Sequence, residues 1–80
     1  MNLYLLQNSI SKKLYIGISK NELRRLDQHN RSNQHYTGKQ IGQWNIIGVK
    51  HFENKTEARQ EEIRLKKSKN KNYILWYFNH

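Results

Sequence analysis

The chain has 80 residues, with 15 lysines and arginines against six aspartates and glutamates, a formal net charge of +9 and a pI near 10.1. This length allows one small domain, residues 1–80, whose folding buries only about 60% of the surface that the unfolded chain exposes. The absence of cysteine excludes disulfides and thiolate metal sites, and no apolar run approaches the roughly 20 residues that cross a bilayer. We therefore expect a cytoplasmic protein with no membrane partner.

The excess of positive charge predicts a polyanionic partner, and nucleic acid is the commonest polyanion in a cell. Small domains also carry net charge for solubility, but +9 exceeds the magnitude of about 2 to 8 that solubility requires. An acidic membrane would require a basic amphipathic helix with a broad apolar face, and the sequence contains no convincing one.

Two short runs of alternating apolar residues, Leu3–Gln7 and Leu14–Ser19, predict a β-hairpin around the polar segment 8–12. Because strand side chains alternate between faces, Leu3 and Leu5 should share a buried face with Leu14, Ile16 and Ile18. The same register places two phenols on the opposite face, with Tyr4 across from Gly17 and diagonal to Tyr15. Gly17 then leaves open space between the two phenols.

A helix should follow this hairpin, capped by Ser19 or Asn21, with Ser19-x-x-Glu22 as a candidate capping box. Arg25 and His29 are four residues apart, so they lie on one face of the helix and point toward the phenols. The helix is expected to fade after Asn30. A loop over residues 31–43 should follow, longer than most connections and therefore a candidate functional segment.

The second half of the chain predicts a third strand over Trp44–Phe52, with Gly48 marking a bulge or a bend. Asn54-x-x-Glu57 then predicts a capped helix from about Lys55 to Lys67. The aromatic run 71–78 predicts a short helix that closes the core, with a strand as the alternative. The fold class is therefore α/β of the α+β type, a three-stranded antiparallel sheet flanked by about three helices.

On the second of these helices, Ala58, Glu62 and Leu65 lie on one stripe at positions i, i+4 and i+7. A carboxylate on an apolar stripe is a candidate functional residue. The alternative is an ordinary surface pair with Arg59 or Lys66, worth a few tenths of a kcal/mol.

Taken in order, these elements and residues resemble the GIY-YIG nuclease family from Leu3 to about Ile74. The two family motifs fall at Asn2-Leu3-Tyr4 and at Tyr15-Ile16-Gly17. The family's arginine, histidine and glutamate match Arg25, His29 and Glu62, and a one-residue offset would select Arg24 or Glu61 instead. Lys39, shortly after the Tyr36-Thr37 pair, matches a basic residue of a family loop. Lys39 and Lys13 are expected to contact nucleic acid.

The resemblance implies a Mg²⁺-dependent (or Mn²⁺-dependent) endonuclease that hydrolyses DNA in one step. Tyr15 would activate the water, and because an isolated phenol titrates near 10, such a base requires nearby positive charge. Tyr4 would hydrogen-bond the water or Tyr15, Arg25 would bind the phosphate, and His29 would position a tyrosine or move a proton. Glu62 would hold the metal ion.

The sequence is compatible with three interpretations of the function. The chain is a DNA endonuclease, a catalytically silent basic nucleic-acid-binding module of the same fold, or a basic structural protein such as a ribosome-associated one. The sequence leaves undecided whether the DNA is single-stranded, duplex or branched. It also leaves open a homodimer or a targeting partner that supplies specificity.

Overall fold

A computed structural model of the protein describes residues 1–37 and 42–79. Six elements follow one another in these ranges: β1 (Asn2–Asn8), β2 (Leu14–Ser19), α1 (Glu22–Thr37), β3 (Trp44–His51), α2 (Lys55–Ser68) and α3 (Lys71–Phe78). The strands form one antiparallel sheet in the order β2-β1-β3, so β1 is central. The predicted α+β fold, with three strands and three helices, is confirmed. Among the described residues, none of the helices combines the length and apolarity that crossing a bilayer requires.

The hairpin has the predicted register, in which Tyr4 pairs with Gly17 and Leu5 pairs with Ile16. Its turn is held by the buried Asn8 side chain, whose Oδ1 accepts hydrogen bonds from the backbone N–H groups of Ile10 (2.9 Å) and Ser11 (3.0 Å). An asparagine that bonds to the backbone two and three residues ahead stabilises a turn without requiring proline or glycine.

The core lies on the predicted face of the sheet. Leu3, Leu5 and Ile16 form one cluster with Leu65 of α2 and with Ile74 and Phe78 of α3, while Leu14 and Ile18 are partly buried against it. On the opposite face of β1, Tyr4 and Leu6 are buried as well. The sequence of a central strand that is covered on both faces is a continuous apolar run rather than an alternation of apolar and polar residues.

The bulge predicted near Gly48 is present in β3. Leu5 pairs with Gly48 and Leu6 with Ile46, so Ile47 is the extra residue. The strand ends at His51, one residue earlier than predicted. Gly48 also permits a close contact, because a Cβ at that position would lie 2.6 Å from the Cβ of Phe78.

The prediction that α1 fades after Asn30 is wrong, because the helix continues to Thr37. The first half of the segment predicted as a loop, residues 31–37, is therefore helical. A polar composition does not end a helix, and the stretch up to residue 37 contains neither glycine nor proline. Arg31 extends the helix through an i, i+4 ion pair with Asp27 at 3.0 Å.

The cap of α1 is Asn21, whose Oδ1 accepts from the backbone N–H of Arg24 at 3.1 Å. Ser19 instead accepts from the N–H of Asn21 at 3.0 Å, and Glu22 accepts at 2.9 Å from the side-chain amide of Asn2. The proposed Ser19–Glu22 capping box is therefore wrong, since its glutamate serves to join α1 to β1.

Asparagines also begin the two later helices. Asn54 accepts from the N–H of Glu57 at 2.9 Å, as predicted, and Asn70 accepts from the N–H of Tyr73 at 3.0 Å. The run 71–78 is a helix rather than a strand. Between these helices, Lys69 adopts a left-handed conformation (φ 51°), which turns the chain from α2 into α3.

Candidate active site

The hairpin positions the two phenols side by side. Tyr4 lies over Gly17, so closely that a Cβ on Gly17 would stand 2.5 Å from the Tyr4 hydroxyl oxygen. Tyr4 is only 4% exposed, whereas Tyr15 is 41% exposed. The two tyrosines therefore offer different chemistry, a buried hydroxyl that is fixed by packing and an accessible one that can meet water and substrate.

Helix α1 adds a cation and an imidazole on one face. The centre of the His29 ring lies 4.7 Å from the centre of the Tyr15 ring, with the two planes tilted by 43°. It also lies 4.7 Å from the centre of the Trp44 ring, in an edge-to-face arrangement. This aromatic packing fixes both the imidazole and the phenol that it contacts. Burial lowers the pKa of His29 below its ordinary value, so the imidazole is neutral at pH 7.

One pocket of about 220 Å³ is lined by Tyr4, Tyr15, Arg25, Gln28 and His29, and we name it the central pocket. Four of the five predicted catalytic residues thus line a single space. Gln28 was not predicted. Helical spacing could have indicated it, because residue i+3 from Arg25 lies on the same helix face.

Glu62, the fifth predicted residue, does not line the central pocket but lies close to it. Burial, as the largest cause, raises the pKa of Tyr4, the neighbouring Tyr15 and the Glu62 charge act in the same direction, and Arg25 acts in the opposite one. The Glu62 side chain is 15% exposed and accepts a hydrogen bond from Lys66 at 3.1 Å. The Lys66 ammonium in turn lies 5.9 Å from the centre of the Tyr15 ring. Lys66 is the surface partner named as the alternative, and the pair borders the two phenols.

The neighbours that a one-residue offset would select have other surroundings. Arg24 does not line the central pocket but an adjacent one. Glu61 is bound by Arg64 through two hydrogen bonds of 2.8 and 2.9 Å, and it accepts a third, 2.7 Å long, from the hydroxyl of Tyr77. Glu61 is thus engaged in joining α2 to α3.

The two lysines predicted to contact nucleic acid are not in the central pocket. Lys13 is exposed at the hairpin turn and lines a separate pocket of about 330 Å³ with three other lysines. Lys39 lies outside the described residues.

Among the described residues, no three His, Asp or Glu side chains cluster as a ready-made metal site. A single carboxylate still fits Mg²⁺, which proteins often hold through one or two carboxylates together with waters and substrate phosphates. The half-buried Glu62 carboxylate already accepts a hydrogen bond from one cation, the Lys66 ammonium, so its surroundings suit a positive partner.

The family model described as the GIY-YIG catalytic domain matches residues 1–74 of the chain. The chain belongs to the GIY-YIG family. Searches of curated proteins and of solved structures gave no significant match.

The GIY-YIG match includes every residue of the central pocket as well as Glu62, and it ends inside α3. The resemblance drawn from the sequence is thereby confirmed, and it places the chain in a nuclease-type family. The match concerns the family and the fold. The roles of the individual residues stay predictions.

Proposed function

We propose that this GIY-YIG protein is a metal-dependent endonuclease that hydrolyses DNA phosphodiester bonds in one step, with water as the nucleophile. The observation that carries the proposal is the central pocket, in which two phenols, a guanidinium and an imidazole surround about 220 Å³ of space beside Glu62. The net charge of +9 supports a polyanionic substrate.

Arg25 binds the phosphate in this proposal. A guanidinium presents a rigid fork of donors to two non-bridging oxygens, and it keeps its charge at any physiological pH. Because Arg25 projects from the same helix face as His29, the bound phosphate would lie against the phenols.

Tyr15 is the proposed general base, because its accessible oxygen, in the phenolate form that the neighbouring Arg25 would stabilise, would take a proton from a water molecule beside the phosphate. Tyr4 is the proposed donor that orients this water or Tyr15. Its raised pKa keeps the hydroxyl protonated at neutral pH, so it can donate a hydrogen bond but not accept a proton. Neutral His29 holds the Tyr15 ring through the contact at 4.7 Å.

Glu62 would hold the metal ion, Mg²⁺ or Mn²⁺, with phosphate oxygens and waters as the other ligands. When bound, such a cation supplies Lewis-acid stabilisation of the charge on phosphorus and on the leaving oxygen. Lys66 shares this carboxylate at 3.1 Å, so its ammonium would balance the acidic charge while the metal is absent.

Cleavage assays test the proposal directly. Labelled single-stranded, duplex and branched DNA are incubated with the protein in Mg²⁺, in Mn²⁺ and in EDTA. We expect cleavage only with a metal ion, and its loss in Glu62→Gln and Tyr15→Phe with DNA affinity kept within a few fold. Glu57→Gln, an exposed carboxylate on the same helix, is the matched control and should cleave normally.

Two results would overturn the proposal. Cleavage that persists in EDTA or in Glu62→Gln would remove the metal and its ligand from the mechanism. Binding of DNA without any cleavage, by wild-type protein in every metal, would leave a silent nucleic-acid-binding module.

A further inference from the structure

Two basic pockets flank the central pocket, and their arrangement points to the path of the substrate. The first, which we name the lysine pocket, has a volume of about 330 Å³ and lies between the hairpin turn and the α2–α3 junction. It is lined by four lysines: Lys12, Lys13, Lys69 and Lys71. The Lys71 ammonium donates to the backbone oxygen of Lys12 at 2.9 Å, which joins the two parts of the pocket.

The second, which we name the arginine pocket, has a volume of about 340 Å³ and lies at the end of β2. Its cations are Lys20, Arg24 and Arg25. Arg25 and Gln28 line both this pocket and the central pocket, so the two spaces share a wall.

Lys66 lines neither the lysine pocket nor the central pocket but lies near residues of both. Its ammonium is 5.9 Å from the Tyr15 ring centre, and it lies three residues, less than one helical turn, before Lys69 of the lysine pocket. Cationic side chains therefore border a route from the hairpin turn, past the phenols, to the end of β2.

The acidic residues lie outside the three pockets, and the one beside the path is Glu62, which pairs with Lys66 at 3.1 Å. All six carboxylate residues lie in the part of the chain that the structure describes, and none lines the lysine, central or arginine pocket. The two basic pockets and Lys66 together hold eight of the 15 lysines and arginines. Such clustering exceeds what solubility alone requires, because a solubilising surface intersperses both signs of charge.

We propose that a nucleic-acid strand follows β2, with the scissile phosphate in the central pocket and neighbouring phosphates of the same strand in the lysine pocket on one side and the arginine pocket on the other. This inference rests on the proposed function, since the central pocket must hold the phosphate that is cut. The route from Leu14 to Ser19 covers five residue steps, roughly 17 Å at 3.3 Å per residue. A span of this length can be contacted by several consecutive phosphates of one strand.

Two lysines of the lysine pocket permit a substitution that removes charge without disturbing the fold. Lys12 (φ 64°) and Lys69 (φ 51°) both adopt the left-handed conformation, in which asparagine is among the best tolerated residues. The double variant Lys12→Asn/Lys69→Asn therefore removes two charges from the lysine pocket with a backbone that suits the new side chains. The matched control is Lys55→Gln/Arg59→Gln, which removes two charges from a separate pocket on α2.

The experiment measures the affinity for a fluorescent 12-nucleotide single strand by anisotropy, in EDTA and at several salt concentrations. We expect the lysine-pocket variant to bind at least fivefold more weakly than wild type, and the slope of log K against log salt to fall by about 1.4, or 0.7 for each lost contact to a single strand. The control should keep the wild-type slope. Circular dichroism confirms that both variants are folded.

A second measurement requires no variant. Wild-type affinity should rise steeply as the strand is lengthened until it spans the three pockets, and more slowly beyond that. Free inorganic phosphate serves as the competitor and should displace the strand only at concentrations far above those of an oligonucleotide. Efficient displacement by phosphate would mean that the pockets bind single anions rather than a strand.

The outcomes separate this inference from the proposed function. Equal slopes for the lysine-pocket variant and wild type would overturn the path along β2, even if the protein cleaves DNA. Equal losses in the variant and the control would also overturn it, because the effect would then be one of net charge. A protein that never cleaves but shows the predicted loss of slope would keep the strand path and refute only the proposed chemistry.

Discussion

Replacing Gly17 by alanine tests whether the position of the Tyr4 hydroxyl controls catalysis. The new Cβ would lie 2.5 Å from that oxygen, whereas ordinary contacts begin at 3.4 Å, so the phenol must retreat by about 0.9 Å, the difference between the two. A displacement of about 1 Å at a reacting group costs roughly 100-fold in rate. We therefore expect Gly17→Ala to lower the single-turnover cleavage rate about 100-fold, equivalent to about 2.7 kcal/mol of barrier.

The effect on stability should be smaller, because the atoms nearest to the new methyl group belong to the far end of the Tyr4 ring. Overpacking typically costs about 1 to 3 kcal/mol, and a contact with the tip of a side chain rather than with backbone places this variant near the lower end. For a domain of this size, about 1 kcal/mol lowers the Tm by about 4 to 8 °C.

Gly48→Ala provides a matched control, in which the loss of stability should be large and the loss of cleavage rate small. Its Cβ would lie 2.6 Å from the Cβ of Phe78, an atom next to the backbone that cannot swing away. We expect the larger loss of Tm here, with near-normal cleavage at a temperature at which the variant is folded. The reasoning would be refuted if Gly17→Ala cleaved within threefold of wild type, or if both variants lost activity in proportion to their loss of stability.

Three further experiments probe the central pocket and the junction between α2 and α3. Arg25→Lys keeps the charge but loses the fork of donors, so oligonucleotide affinity should stay within a few fold while the cleavage rate falls about 100-fold or more. The pKa of His29 is lowered by burial, so its NMR titration should have a midpoint below 6.5, and the free energy of unfolding should decrease as the pH falls through 6.5, because only the unfolded imidazole then binds a proton. A midpoint at or above 6.5 would contradict the burial of this ring. The hydrogen bonds from Arg64, as the largest cause, lower the pKa of Glu61 to about 2. The contribution of this carboxylate to the free energy of unfolding is therefore fully present above its unfolded pKa, near 4.5, and is lost as the pH falls toward 2. Thermal melts of Glu61→Gln should lack this acid dependence and show a loss of about 1 kcal/mol at pH 7, a modest value because the pair is screened by solvent. An unchanged acid profile would assign the dependence to other carboxylates.

Local patterns account for the parts of the fold that were predicted correctly. The alternation in the two runs of the hairpin, with Gly17 opposite Tyr4, defines the strand register through neighbouring residues alone. Asn54 predicts the start of α2 for the same reason, because a capping side chain bonds to a backbone N–H three residues ahead. Such signals require no knowledge of the tertiary structure.

The extent of α1 could not be read in this way. The segment 31–37 is polar, which is typical of a loop, but helix propensity among polar residues differs by only a few tenths of a kcal/mol. Tertiary contacts support the middle of the helix instead. The Asn30 side chain accepts from the N–H of Trp44 at 2.8 Å and donates to its carbonyl oxygen at 3.1 Å, which ties α1 to the start of β3.

Sequence patterns could not predict the lysine pocket either. Lys12 and Lys71 are 59 positions apart and meet only because the α2–α3 junction returns to the hairpin turn. The sequence contained the run of lysines after Leu65 and the lysines of the turn. Their convergence depends on how Leu65 and Ile74 pack on the sheet, which is long-range information.

The two phenols differ in how much they support the fold. Tyr4 belongs to the central strand and is 4% exposed, so it supports the structure as well as the proposed chemistry. Truncating a buried aromatic residue to alanine costs about 3 to 5 kcal/mol, a large part of the 5 to 15 kcal/mol that stabilises a typical domain. Inactivity of Tyr4→Ala would thus reflect unfolding as readily as a missing hydroxyl. Only Tyr4→Phe, which keeps the ring over Gly17 and removes the oxygen, separates the two, whereas the exposed Tyr15 tolerates either change.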